Sequence, residues 1–194
     1  MTYLKHEERH AAILDAAAKV ILSEGLFAAT VRRIAKEAGA AIGQIHHHFD
    51  SIKSLRAQAF LHLTRKSQNS FEISNKNCTA IERIHHVLGY PINDEGVRET
   101  ERWNEVMLES SRDNTMREAY YIAIAEWHEA TSRIITDGRA SNEFRPGGNS
   151  ADDIAWRLIG LVCGLDGLLP FENSTLTEME VIRHLNNAIE LELL

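Results

Sequence analysis

Between residues 30 and 53 the chain gathers groups that can hold or read a polyanion. They are the hydroxyl of Thr30, the guanidinium groups of Arg32 and Arg33, the amide of Gln44, the imidazoles of His46, His47 and His48, and the ammonium of Lys53. Cationic and hydroxyl donors grip phosphate oxygens without regard to base sequence. A Gln amide can make a paired donor and acceptor contact with an adenine edge. Each group also has a plainer reading: Arg32 and Arg33 as a solvated helix face, Gln44 as a solvated polar residue. Successive helical residues point about 100° apart, so three consecutive histidines cannot by themselves converge on one metal ion. Donation to phosphates or a base edge, with one ring packed, is the expected use. His6 and His10 stand four apart and could share a metal on a helix face, but a flexible N-terminal arm is the preferred reading. No metal site and no cofactor is expected.

Charge is distributed to match. The 194 residues carry a net charge of −7, yet residues 1–66 sum to +4 and residues 67–194 to −11. Six of the ten histidines also lie in the first 66 residues. A basic head on an acidic body suits a protein that meets a polyanion with one end only, although chance alone can produce such an asymmetry. Cys78 and Cys163 form no CxxC pattern, define no disulfide framework or zinc site, and fit a reducing compartment. The charged start, Met1 to His10, has no apolar signal core, and the longest apolar stretch, Leu158 to Leu165, is too short to span a bilayer. The expectation is a soluble, cytoplasmic protein with no membrane partner.

The elements that would position these groups are helices. Ile13, Ala16, Ala17, Val20 and Ile21 recur at helical spacing and predict a helix from about Glu7 to Glu24, stopped by Gly25. Thr30 caps a short helix to Ala38, Gly39 supplies a tight turn, and a third helix runs from about Ala41 to His47 or His48, with Phe49 closing the core. Asp50 or Ser51 opens a longer helix to about Phe71, and Ser74 to Asn77 reads as a loop. Thr79 with Glu82 forms a capping box for a helix ending near Gly89. After a loop at Asn93 to Glu95, helices are expected over Val97–Ser111 and Thr115–Asp137. A turn-rich connector, Gly138 to Asn149, follows. Ser150 and Thr177 then cap two more helices, the first ended by Pro170 and the second reaching about Leu191. No strand pattern, repeat or low-complexity segment appears. The fold class is therefore all-α: a three-helix head over residues 1–50 and a six-helix body over residues 51–194.

Two short helices about a glycine turn make a helix-turn-helix, whose second helix can enter a major groove about 12 Å wide. Residues 9–55 carry this in a specific form: Ile13-Leu-x-Ala-Ala17, Gly25-x-Phe27, Thr30-Val-x-x-Ile-Ala35, Ala38-Gly39, Gly43-x-Ile-x-x-His-Phe49, then Ser51 and Leu55. This stretch resembles the N-terminal domain of the tetracycline-repressor (TetR) family of regulators. More loosely, Trp103, Arg112-Asp-x-x-x-Arg117-x-x-Tyr120, Glu143-Phe-Arg-Pro146 and Leu161-x-x-Gly164-Leu-x-Gly167 resemble the body of its betaine-regulator type. The resemblance implies a homodimer that binds a palindromic operator in double-stranded DNA and is released by a small-molecule effector bound in the body. It places Thr30, Arg32, Arg33, Ala41, Gln44, His46, His47 and Lys53 at the DNA. The chain departs from the family pattern at Ala41, where a capping Ser or Thr is usual, at His46, where Tyr is usual, and at Ile52, where Lys is frequent.

In the body, Trp103, Met107, Tyr120, Tyr121, Trp127 and His128 are candidates to line an effector pocket, since aromatic walls suit a cationic or flat ligand; their alternative place is the core. Gly160, Gly164 and Gly167 repeat along one side of the penultimate helix. With Ile182, Leu185 and Ile189 of the last helix they are expected to form a two-helix dimer face, the alternative being close packing inside one chain. An enzyme is not expected, because no Gly-rich phosphate loop, nucleophile elbow, HExxH or paired carboxylate setting is present. The other readings are a histidine-based metal sensor and a ligand-binding module without operator recognition.

Overall fold

The structure is a computed structural model, and it describes residues 6–74, 78–89, 94–169 and 176–194. The described residues form nine α-helices and no strand: α1 His6–Glu24, α2 Val31–Ala38, α3 Ile42–His48, α4 Ile52–Ser74, α5 Ala80–Val87, α6 Asp94–Ser110, α7 Asn114–Ala140, α8 Ala151–Asp166 and α9 Glu178–Leu193. The all-α expectation holds, and no described helix is long and apolar enough to cross a membrane.

Helix starts follow their sequence signals. The Thr30 hydroxyl accepts from the Arg33 amide, that of Thr79 from Glu82, that of Ser150 from Asp153 and that of Thr177 from Glu180. Each satisfies a backbone donor that the first helical turn leaves unpaired.

Helix ends were less legible. The predicted loops at Ser74 and Asp94 are instead the last residue of α4 and the first of α6, while residues 75–77, 90–93 and Pro170 lie outside the described set. Asp113 caps α7 through the Met116 amide at 2.9 Å, so that helix starts at Asn114. It also runs three residues past its expected end. Gly138 does not begin the connector: it lies inside α7, buried, because Phe144 folds back over it.

The helices gather into two compact units. The first comprises Met1–Asn69 with Val97–Ala123, and the second Ser70–Gly96 with Ile124–Leu194. In the first, Ile13, Ala17, Val20 and Ile21 of α1 pack with Ile34, Ile45, Phe49, Leu55, Phe60 and Val106. In the second, Ile84 of α5, Ile135 of α7 and Phe144 pack with Ile154, Leu158 and Val162 of α8 and Val181, Leu185 and Ile189 of α9. Residues 1–50 thus share a compact unit with α4, α6 and the first part of α7.

Candidate nucleic-acid interface

Gly39 ends α2 in the left-handed conformation, at φ 57° and ψ 36°, as the predicted turn requires. The chain reverses within three residues and Ala41, in extended backbone, opens α3. Ile34, Ala35, Ile45 and Phe49 are buried and lock α2 and α3 against α1. The opposite side of α3 is bare: Ile42, Gly43, Gln44, His46 and His47 are exposed. A helix pinned on one face and presenting Gln, His and a glycine on the other has the form that reads a groove.

Ala41 makes no side-chain cap bond. The Gln44 side chain makes the other half of a capping box, its Oε1 accepting from the Ala41 amide at 3.0 Å. Ala41→Ser would add the missing acceptor in a backbone already shaped for it. It is expected to stabilise the protein by about 0.5–1 kcal/mol, read as a raised denaturation midpoint at unchanged slope.

The three cationic candidates are not equivalent. Arg33 is held by Glu24 at 2.6 Å and Glu37 at 2.8 Å, which raise its pKa. Lys53 is bound to the buried Asp113 at 2.6 Å, and this partner likewise raises its pKa. Arg32 is exposed and has no hydrogen-bond or ion-pair partner among the described residues. Glu37, one turn beyond Arg33, was a legible partner in sequence; Asp113, sixty residues from Lys53, was not.

The histidines are assembled by tertiary structure. His6 and His10 of α1 meet His47 and His48 of α3: ring centroids lie 4.3 Å apart for His6 and His48, 5.6 Å for His6 and His47, 5.4 Å for His47 and His48 and 6.0 Å for His10 and His48. His10 also stacks on Phe49 at 4.5 Å. His6 and His10 thus belong to the head's packing, and His46 stays exposed. Among the described residues no three His, Cys, Asp or Glu side chains are placed to hold a metal.

His48 Nδ1 is buried without a partner. Burial, then the neighbouring charges of His6, His47, His10 and Arg9, lower the His48 pKa from its ordinary 6.5. The unfolded chain therefore binds the proton more readily than the folded one. Its contribution is fully present above pH 6.5 and is lost as pH falls below that value. Thermal melts of wild type and His48→Gln should diverge between pH 7.5 and pH 5.5, the wild type losing more on acidification. Parallel losses would remove this assignment.

The candidate effector residues divide between the units. In the first, Trp103 packs edge-on against Phe60 at 5.1 Å and Tyr120 at 5.9 Å, while Met107 and Tyr121 are exposed. In the second, Trp127 donates from Nε1 to the Val87 carbonyl at 2.6 Å, and His128 stacks on Trp156 at 4.3 Å. Of the dimer candidates, Gly160 and Gly164 face outward, where an added Cβ would meet nothing within 4 Å. Gly167 caps the C-terminus of α8, and Ile182 is half-buried. Leu185 and Ile189 require correction: each is 1% exposed, filling the unit's own core, so neither side chain is available to a second copy. The exposed apolar groups on these helices are instead Trp156, Met179 and Leu191, which periodicity could not tell from core.

Residues 13–59 match the family model of bacterial regulatory proteins, tetR family. The chain is 33% identical over 103 residues to the HTH-type transcriptional regulator PksA of Bacillus subtilis, a match covering 52% of this chain and 50% of that protein; it thus spans about half the length of this relative. Among solved structures it is similar to a putative transcriptional regulator from Saccharomonospora viridis in complex with choline, with 25% identity, a TM-score of 0.75 and coverage of 96% of this chain and 98% of the other. It is also similar to a putative TetR-family regulator from a Rhodococcus species, with 22% identity, a TM-score of 0.79 and coverage of 97% and 100%.

Proposed function

We propose that this chain, whose residues 13–59 match the TetR-family model, is a TetR-family transcriptional regulator, a cytoplasmic homodimeric repressor that binds a palindromic operator and releases it when a small molecule binds the body. One observation carries the reading. The α2–Gly39–α3 unit is locked on one side by Ile34, Ile45 and Phe49 and bare on the other at Gln44, His46 and His47. Two such heads, related by a two-fold axis, would occupy successive major grooves about 34–36 Å apart.

Arg32, Arg33, Lys53 and the Thr30 hydroxyl are the proposed phosphate contacts, and Gln44 the base contact. The outward Gly160 and Gly164 with Trp156, Met179 and Leu191 support a dimer face on α8 and α9. Trp103, Met107, Tyr120, Tyr121, Trp127 and His128 are the proposed effector contacts. The choline bound in the Saccharomonospora viridis structure makes choline the first effector to try. An effector that prefers the DNA-incompetent state about 10²-fold supplies about 2.7 kcal/mol of coupling.

Selection from random duplex DNA at moderate salt tests this directly. The expected result is a palindrome with half-sites about one helical turn apart. A folded, dimeric protein that enriches no sequence would overturn it.

The unequal cations give a second test. Removing one phosphate contact lowers the slope of log affinity against log salt by about 0.9. Arg32→Ala removes one contact from each of the two heads and is expected to show a decrease of about 1.8. Arg33→Ala should change the slope less, because Glu24 and Glu37 already balance its charge. The reverse order, from salt titrations of both variants, would show that Arg33 leaves its partners for the phosphate.

A further inference from the structure

The last turn of α1 and its junction with α2, residues 21–29, owe the placement of their backbone to side chains from two other helices. From α6, Glu105 Oε2 accepts the Leu26 amide at 2.6 Å, and Arg102 Nη1 donates to the Ile21 carbonyl at 3.4 Å. From α4, Arg56 donates through Nε to the Ala29 carbonyl at 3.0 Å and through Nη2 to the Phe27 carbonyl at 3.1 Å. Gly25, at φ +98°, makes the approach of α6 possible: a Cβ there would stand 3.1 Å from both Arg102 Nη1 and Glu105 Oε1. Thr30, the cap of α2, follows the junction at once.

The α6 side of this clamp belongs to a longer pattern. Arg102, Glu105, Glu109 and, past the helix end, Asp113 recur at intervals of three and four residues, the spacing of one helix face. Arg102 pairs with Glu101 at 2.8 Å and Glu105 at 3.4 Å, Glu109 acts electrostatically on Lys53 and Arg56, and Asp113 binds Lys53. Yet this is a packed face. Val106 is fully buried, Arg102 is 9% exposed, and Arg102 Nε has no partner. What the polar face adds is direction: hydrogen bonds fix the junction's backbone in one place, where oily contacts would let it slide.

We propose that Arg102 and Glu105 of α6 are positioning residues for DNA binding, holding Ile21 and Leu26 so that α2 and α3 are presented at one fixed angle. They touch no DNA and act through the junction. Any displacement of α6 then reaches the helix-turn-helix through two named bonds. The inference rests on the operator-binding reading above.

The test compares the full-length wild type with Glu105→Ala and Glu105→Gln on the operator selected from random DNA. Leu26 amide exchange and thermal unfolding are measured on the same samples. In Glu105→Ala the Leu26 amide loses its acceptor. Its exchange is expected to quicken about tenfold and operator affinity to fall about tenfold, at an unchanged salt slope and with cooperative unfolding retained. Glu105→Gln keeps an acceptor oxygen for Leu26 and is expected to stay within about threefold of wild type on both counts. Wild-type affinity in a folded Glu105→Ala overturns the proposal alone, as does a loss equally large in Glu105→Gln. A loss no greater than the unfolded fraction of Glu105→Ala also overturns it, reducing Glu105 to a structural role. A wild type that selects no operator overturns the DNA-binding reading, and this proposal with it.

Discussion

Phe144→Ala is expected to destabilise the protein by about 3–5 kcal/mol, the range for emptying a buried aromatic site. Phe144 is 2% exposed and lies against Gly138 of α7 and Ala80 of α5. The chain leaves α7 through Asn142, at φ 59°, and folds back so that the amides of Glu143 and Phe144 both donate to the Gly138 carbonyl. Glu143 joins the same corner, accepting the Ala80 amide at 2.6 Å.

Gly138 is the complement of that ring. A Cβ at this position would fall 2.3 Å from Phe144 Cδ2 and 2.8 Å from the Ala80 Cβ, so Gly138→Ala should cost about 1–3 kcal/mol or more by overpacking. The two changes must then couple. With the ring gone only the clash with Ala80 remains, and the Gly138→Ala/Phe144→Ala double variant should be more stable than the sum of the single losses predicts. Urea unfolding of the four proteins measures this, and strict additivity would show that the ring and the glycine do not share the site.

The second large effect concerns reading of DNA. Gln44→Ala should weaken binding by about 1–3 kcal/mol, or about 5- to 150-fold, at each half-site of the selected operator, and flatten base preference at one position of each. Binding to unrelated DNA should barely change, because phosphate contacts carry no sequence information. The structure adds a refinement. Gln44 Oε1 is engaged with the Ala41 amide, so turning the whole amide to an adenine edge means giving up that bond. Ala41→Ser would complete a capping box without displacing that bond, as Thr79 and Glu82 do at α5, so Gln44→Ala should lose about as much affinity in the Ala41→Ser background as in wild type. A Gln44→Ala protein with unchanged base preference would move the reading of sequence to His46, His47 or another residue of α3.

Much of this protein is determined by local sequence. The caps at Thr30, Thr79, Ser150 and Thr177, the left-handed turn at Gly39 and the buried stripe Ile13, Ala17, Val20, Ile21 are set by interactions within about four residues, and each was legible for that reason. The helix-turn-helix was readable because its glycine, small residues and apolar spacing lie in one short span. Only tertiary structure decided which polar groups are engaged and which apolar ones are covered. The burial of Leu185 and Ile189 against the exposure of Met179 and Leu191 depends on how α9 is rotated over α8, which spacing alone leaves open. The pairing of Lys53 with Asp113, the meeting of His6 and His10 with His47 and His48, and the grip of Arg102 and Glu105 on Ile21 and Leu26 join groups tens of residues apart. A charged side chain reads alike in sequence whether it faces water, a phosphate or a carboxylate, and its partner exists only once the helices have packed.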